Sequence, residues 1–155
     1  MTVRQLFNEK NKGFTLIELL VVIGILAILL AITLIAINPA RQFGQANDTK
    51  RRSDITQILN AVGQYSASNT GQIPAEITTI AQPINIANFP IMCTQLVPNY
   101  IPALPMDPNQ ANNQAGISDC ATSGWATGYT IVRDANNRIT VTAPSAYSGP
   151  ITVTR

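Results

Sequence analysis

One acidic residue inside an apolar stretch constrains this chain more than any other feature. Residues 14–18 read Phe-Thr-Leu-Ile-Glu, and an apolar run follows over residues 19–37, broken only by Thr33. As a helix rising 1.5 Å per residue, residues 14–37 extend about 36 Å, enough to cross a hydrocarbon core of about 30 Å. A carboxylate in such a helix costs on the order of 2.5–3.5 kcal/mol near the bilayer centre, and less towards an end. Glu18 therefore needs a reason to be there.

Ordinary explanations of the stretch leave Glu18 unaccounted for. A secretory signal has an apolar core of about 7–15 residues with a small-residue cleavage site after it; this run is longer and carries an acid. A plain membrane anchor accounts for the length alone. A third reading is local: Thr15 and Glu18 have the S/T-x-x-E spacing of a capping box, whose side chains satisfy orphan amides at a helix start. The negative charge also suits the positive end of the helix dipole. Ahead of the stretch, residues 1–13 are polar and hold Arg4, Lys10 and Lys12 against Glu9. Basic residues before a single span place Met1 in the cytoplasm and the bulk of the chain across the membrane.

The segment Lys12-Gly13-Phe14-Thr15-Leu16-Ile17-Glu18-Leu19 closely resembles the processing motif of type IV pilins and the related pseudopilins. The resemblance implies cleavage between Gly13 and Phe14 by a dedicated membrane peptidase, which then N-methylates the Phe14 amine. It also implies an assembly role for Glu18. Cleavage creates a cationic amine at Phe14, about 6 Å along a helix axis from Glu18, and neither charge is comfortable alone in apolar surroundings. In a stack of subunits, the amine of an incoming chain can meet the carboxylate of a neighbour and penalise wrong axial register. Gly24, Ala27 and Ala31 make a narrow stripe along which helices could approach closely, although alanine is common in helices and chance accounts for the stripe as well.

Beyond the span the pattern changes twice. Pro39 should kink the helix, or restart it with Asn38 as cap and Pro39 as first residue. Gly44 is a second weak point, so residues 38–44 are where the helix is expected to loosen. Ile55, Ile58, Leu59, Val62 and Tyr65 have amphipathic spacing, giving a helix over about 45–69 that ends at Ser68-Asn69-Thr70-Gly71. Seven of the ten prolines lie between Pro74 and Pro108, which excludes long helices and central strands there. Residues 70–127 thus read as a loop-rich connector with a short helix near residues 91–97. In it, residues 96–108 resemble a segment common between helix and sheet in the same family. Over 128–155, residues 129–133 and 139–142 alternate as strands joined by a turn through Asp134-Ala135-Asn136-Asn137, with residues 151–153 as a third. The expected fold is α+β: a long N-terminal helix, its front half transmembrane, packed over residues 55–65 on a small antiparallel sheet. The expected organisation is a cleaved leader (1–13), a transmembrane and assembly helix (14–37) and an extracytoplasmic head (38–155).

Charge and composition narrow the function. Charged residues make up only 12% of the chain, about half the usual share. Without residues 1–13, the ten basic and eight acidic residues fall to seven of each, so a duplex-binding surface is not expected. Lys50, Arg51 and Arg52, flanked by Asp48 and Asp54, read as a solvated or lipid-facing stretch of helix. Histidine is absent, removing the usual general base and commonest metal ligand, and no phosphate loop is present. Asp107, Asn109, Asn112 and Asp119 offer oxygen atoms for calcium, but their spacing matches no calcium loop, so a polar surface loop is expected and no metal or other cofactor. Trp125 is expected to anchor the core. Cys93 and Cys120, 27 positions apart, suggest one disulfide in a region outside the membrane, with two buried thiols as the alternative.

The resulting expectation is a non-enzymatic structural subunit of a type IV pilus or related filament. Its partners would be copies of itself or a mixed pilin filament, the prepilin peptidase and methyltransferase, an assembly platform, and membrane lipid before assembly. A pseudopilin of a type II secretion or DNA-uptake machine is the alternative. A membrane-anchored binding domain that never polymerises is the alternative from a different class.

Overall fold

The computed structural model describes residues 13–110 and 115–155; the expected leader up to Lys12, and Asn112, lie outside the described residues. The chain falls into two units, Met1–Pro39 and Ala40–Arg155.

In the first unit the described structure is α1, Leu16–Ile37. Thr15 caps it with extended backbone (φ −80°, ψ 152°), and Glu18 closes the reciprocal capping box. Asn38 ends it in the left-handed conformation, φ 47°, which asparagine tolerates better than most residues. Pro39 enforces the stop, since the residue before a proline is disfavoured in the α region. None of the α1 residues is buried.

Helix α2 runs over Pro39–Ser68, with proline in the first position, where its missing N–H is no loss. It starts well before the residue 45 expected from periodicity and passes through Gly44 without a break. The break in the helical spiral is at Asn38. The α2 terminus is as expected: Gly71, at φ 85°, donates its N–H to the Ser66 carbonyl at 2.8 Å, a left-handed closure that glycine permits.

The remaining elements are β1 (Gln82–Asn85), α3 (Pro90–Leu96), β2 (Ala126–Arg133), β3 (Ile139–Ala143) and β4 (Ile151–Thr154). They include one four-stranded antiparallel sheet in the order β1-β2-β3-β4. The expected sheet of two or three strands thus gains an edge strand from within the proline-rich connector. Pro83 is compatible with β1 because an edge strand leaves one row of backbone groups unpaired, and the register slips between Pro83 and Asn85. The β2–β3 turn is closed by Asp134, whose Oδ1 accepts from the Asn136 and Arg138 amides, both at 2.8 Å.

One core joins these elements. Ile55, Ile58 and Val62 of α2 are fully buried with Met92 and Leu96 of α3 and Tyr129 and Val141 of the sheet. Cys93 and Cys120 form a disulfide, Cα–Cα 5.7 Å, tying α3 to the loop before β2. Trp125 is buried against it and donates its indole N–H to the Cys120 carbonyl at 3.2 Å. The fold is α+β and pilin-like: an apolar amino-terminal helix, a second helix, and the antiparallel sheet.

Candidate processing and assembly site

Gly13 and Phe14 lie outside any regular element, immediately ahead of α1. Both are exposed, Phe14 at 83%. A peptidase needs an accessible backbone, and this junction, exposed and outside regular structure, stands next to the apolar helix.

Glu18 stands in the first turn of α1. Its Oε2 accepts from the Thr15 amide at 2.8 Å and from the Thr15 hydroxyl at 2.7 Å, while its own amide donates to the Thr15 hydroxyl oxygen at 3.3 Å. The capping interpretation of the Thr15–Glu18 spacing is therefore realised in the single chain. Both Thr15 donations converge on one oxygen, which leaves Oε1 outside the capping box. Because Thr15 is extended, Phe14 departs from the helical spiral, and its nitrogen is not committed to an α1 hydrogen bond. Cleavage before Phe14 would leave Thr15, and so the box, intact.

Pro39 is the first residue of α2. The sequence leaves two outcomes open there, kink or restart, and the structure has the restart.

The basic triplet requires a correction. Arg51 is not solvated: it is 1% exposed, and so is Asp107. The guanidinium makes a two-pronged contact with the Asp107 carboxylate, Nε–Oδ2 2.7 Å and Nη2–Oδ1 2.9 Å, and reaches Asp48 Oδ1 through Nη1 at 3.0 Å. Beside it, Asp54 Oδ2 accepts from Lys50 Nζ at 2.8 Å and from the Tyr129 hydroxyl at 2.7 Å. Lys50 also donates to the Met106 carbonyl at 3.0 Å. The sequence does carry a signal for this burial. Asp48, Arg51 and Asp54 repeat every third residue and lead into Ile55 and Ile58, so they share the face that enters the core. Of the triplet, only Arg52 is fully exposed.

Asp107 likewise leaves the surface-loop category. Besides Arg51 it accepts the Asn109 amide on Oδ1 at 2.8 Å. Asp119 is exposed and accepts from the Ala121 amide and the Thr122 hydroxyl, bonds that lower its pKa, the backbone one most. Among the described residues, no three His, Cys, Asp or Glu side chains gather as a metal site would require.

Three groups of the network are shifted from their ordinary values. Burial pushes the Asp48 carboxyl upward, but hydrogen bonds from the Ser148 hydroxyl and amide, the Tyr147 amide and Arg51 outweigh it and hold the group at about 2. The Asp107 carboxylate raises the Arg51 guanidinium above its ordinary value against the opposing effect of burial. Burial, followed by its bond to Asp54, raises the Tyr129 phenol.

Residues 9–34 match the family model described as the prokaryotic N-terminal methylation motif. The match includes Gly13, Phe14, Thr15 and Glu18, and reaches into α1 as far as Leu34. No curated protein and no solved structure matches the chain significantly.

Proposed function

From the prepilin signature of type IV pilins and pseudopilins carried by residues 9–34, we propose that this protein is a structural subunit of a type IV pilus or related filament. Residues 1–13 are a leader removed between Gly13 and Phe14, and the new Phe14 amine is methylated. Residues 14–37 then hold the subunit in the cytoplasmic membrane, amino terminus inward, with residues 38–155 as an extracytoplasmic head. Assembly transfers α1 from lipid into a bundle of neighbouring α1 helices. The carrying observation is the match at residues 9–34, centred on the exposed Gly13–Phe14 junction and its capped Glu18.

Glu18 gives this transfer its register. In the single chain the Thr15 donors on Oε2 offset part of the cost of placing a carboxylate in apolar surroundings. They do not neutralise it. An incoming Phe14 ammonium supplies the missing charge and finds Oε1 available. A subunit displaced along the bundle axis leaves two uncompensated charges, an error of several kcal/mol in a low-dielectric setting. Cleavage is therefore a precondition of assembly, since it creates the cation.

The amino-terminal mass of the protein from membranes and from sheared surface filaments tests this reading. Methylated Phe14 as first residue in both fractions is the expected result, while intact Met1 in filaments overturns it. Glu18→Gln separates the cap from the charge, because glutamine at the same position still completes a capping box. Helix content and membrane insertion should be unchanged while filament yield falls. Undiminished filaments of unchanged register from Glu18→Gln would show that the carboxylate does not direct assembly. Recovery of the processed chain from membranes but never from filaments would place it among the pseudopilins.

A further inference from the structure

The head presents two exposed aromatic side chains close to the start of α2. Phe43 is 71% exposed and Tyr147 is 60% exposed, although Tyr147 belongs to one of the most firmly held loops in the molecule. The Asp48 carboxylate accepts the Tyr147 amide at 2.8 Å, the Ser148 amide at 2.9 Å and the Ser148 hydroxyl at 2.7 Å. Gly44 completes the hold: the Tyr147 ring lies so close to the helix backbone that a Cβ on Gly44 would fall 2.5 Å from its first ring carbon. The loop is pinned by a buried charge, and the ring it carries is left facing solvent on the residue next to Phe43.

Chain geometry says what lies near this pair. Phe43 is the sixth residue after Ile37, the last of α1, and residues 39–43 are helical. Two Cα steps and one helical turn hold Phe43 within about 14 Å of Ile37, whatever angle the helices make. The polar headgroup zone on one side of a bilayer is about 7 Å deep beyond the hydrocarbon, a height within the range this bound allows. Aromatic residues concentrate in that zone, where a ring meets acyl chains while a hydroxyl or backbone stays wet. Continuity with the span thus favours lipid over a soluble partner.

We propose that Phe43 and Tyr147 form an aromatic foot that seats the head on the headgroup boundary of the outer face of the membrane before assembly. The inference rests on the proposed insertion of α1 and goes beyond it, because insertion alone requires nothing of the head. Asp48 and Gly44 act as positioning residues: they set the height and angle of the Tyr147 ring without touching lipid.

Tryptophan reporters test the foot in the full chain reconstituted into vesicles of phosphatidylcholine, with and without a shallowly brominated analogue. Trp125 is the sole native tryptophan and is buried in the core, so its emission serves as a constant background. In Phe43→Trp and Tyr147→Trp, the added emission is expected at shorter wavelength than exposed tryptophan and lost in brominated lipid. Ile35→Trp, within the span, reports insertion. If Ile35→Trp is quenched while both head reporters respond only to aqueous acrylamide, insertion stands and the foot is overturned. If Ile35→Trp is unquenched as well, insertion fails and the foot with it. Head reporters that ignore lipid but move to shorter wavelength on filament formation would overturn the lipid assignment and identify the pair as a contact between subunits.

Discussion

Removing the Asp107 carboxylate should reveal how much of the head depends on one buried fork. In the native chain both prongs of the Arg51 guanidinium are engaged with Asp107 at 2.7 and 2.9 Å, and both residues are shut off from water. Breaking a buried pair from one side typically costs about 3–5 kcal/mol, because the other charge stays buried without its partner. Here Asp48 remains at 3.0 Å on the third nitrogen, so Asp107→Ala belongs at the lower end, about 3 kcal/mol. That is a large share of a typical domain stability of about 5–15 kcal/mol. The assay is reversible urea unfolding of the full chain in detergent micelles, followed by Trp125 fluorescence. A second variant isolates the cause. Arg51→Met with Asp107→Leu removes both charges together and replaces them with apolar volume, which in comparable sites is neutral or stabilising by about 1–4 kcal/mol. The double variant should therefore be more stable than Asp107→Ala alone. If Asp107→Ala instead costs under about 1 kcal/mol, or the two sites are additive, Arg51 reaches water or another acceptor when Asp107 is gone. The buried-fork account would then be wrong.

Asp48 predicts an acid response. Its pKa is lowered from 3.8 to about 2 in the folded chain, so its contribution is complete above about pH 4 and is lost as pH falls through about 2. The integrated amount is about 2 kcal/mol, and Asp48→Asn should flatten that part of a stability–pH curve measured by urea titration. Gly44→Ala should destabilise, because the Tyr147 ring must move away from the new Cβ, even though alanine is the better helix former by about 1 kcal/mol. In a Tyr147→Ala background the same change should become stabilising by about that amount, and a thermal melt reads the change of sign. Reduction of Cys93–Cys120, which closes a loop of 27 residues, should lower stability by about 3–4 kcal/mol, seen as an earlier urea midpoint with thiol present.

Legibility in the sequence followed how local each determinant is. The α1 start is written in two residues, Thr15 and Glu18, three positions apart, and its end in Asn38-Pro39. Strands β2 and β3 show in strict alternation, and their turn in Asp134 and the asparagines after it. β1 escaped because four residues that include Pro83 do not alternate clearly, and an edge strand is specified by its neighbour more than by itself. The pattern puts the α2 start near residue 45 because Gly44 reads locally as a helix weak point, whereas the structure uses it to make room for a ring more than a hundred residues away. Arg51 reads as solvated for the same reason. A basic residue among basic neighbours looks solvated until Asp107, 56 positions on, supplies its counter-charge. The motif at residues 9–34 was legible in its residue types. What the sequence could not decide was whether Glu18 is satisfied within its own chain, and the structure shows that the cap does part of that work.

On the proposed function, that partial satisfaction bears on how a subunit would leave the membrane. Every residue of α1 is exposed in the single chain, and burying a Leu, Ile or Val side chain is worth about 1.5–3 kcal/mol relative to water, so α1 must be covered at all times. Lipid tails cover it as well as another α1 does, since they are equally apolar, and exchange of lipid for helix brings little hydrophobic gain. What distinguishes the bundle from the bilayer is then the polar chemistry at the front of α1. A fully satisfied Glu18 would gain nothing by assembling, and a wholly unsatisfied one would resist insertion. In that proposal, a carboxylate held by two donors on one oxygen lies between these limits: stable enough to wait in lipid, and still short of the positive charge that a cleaved neighbour would bring.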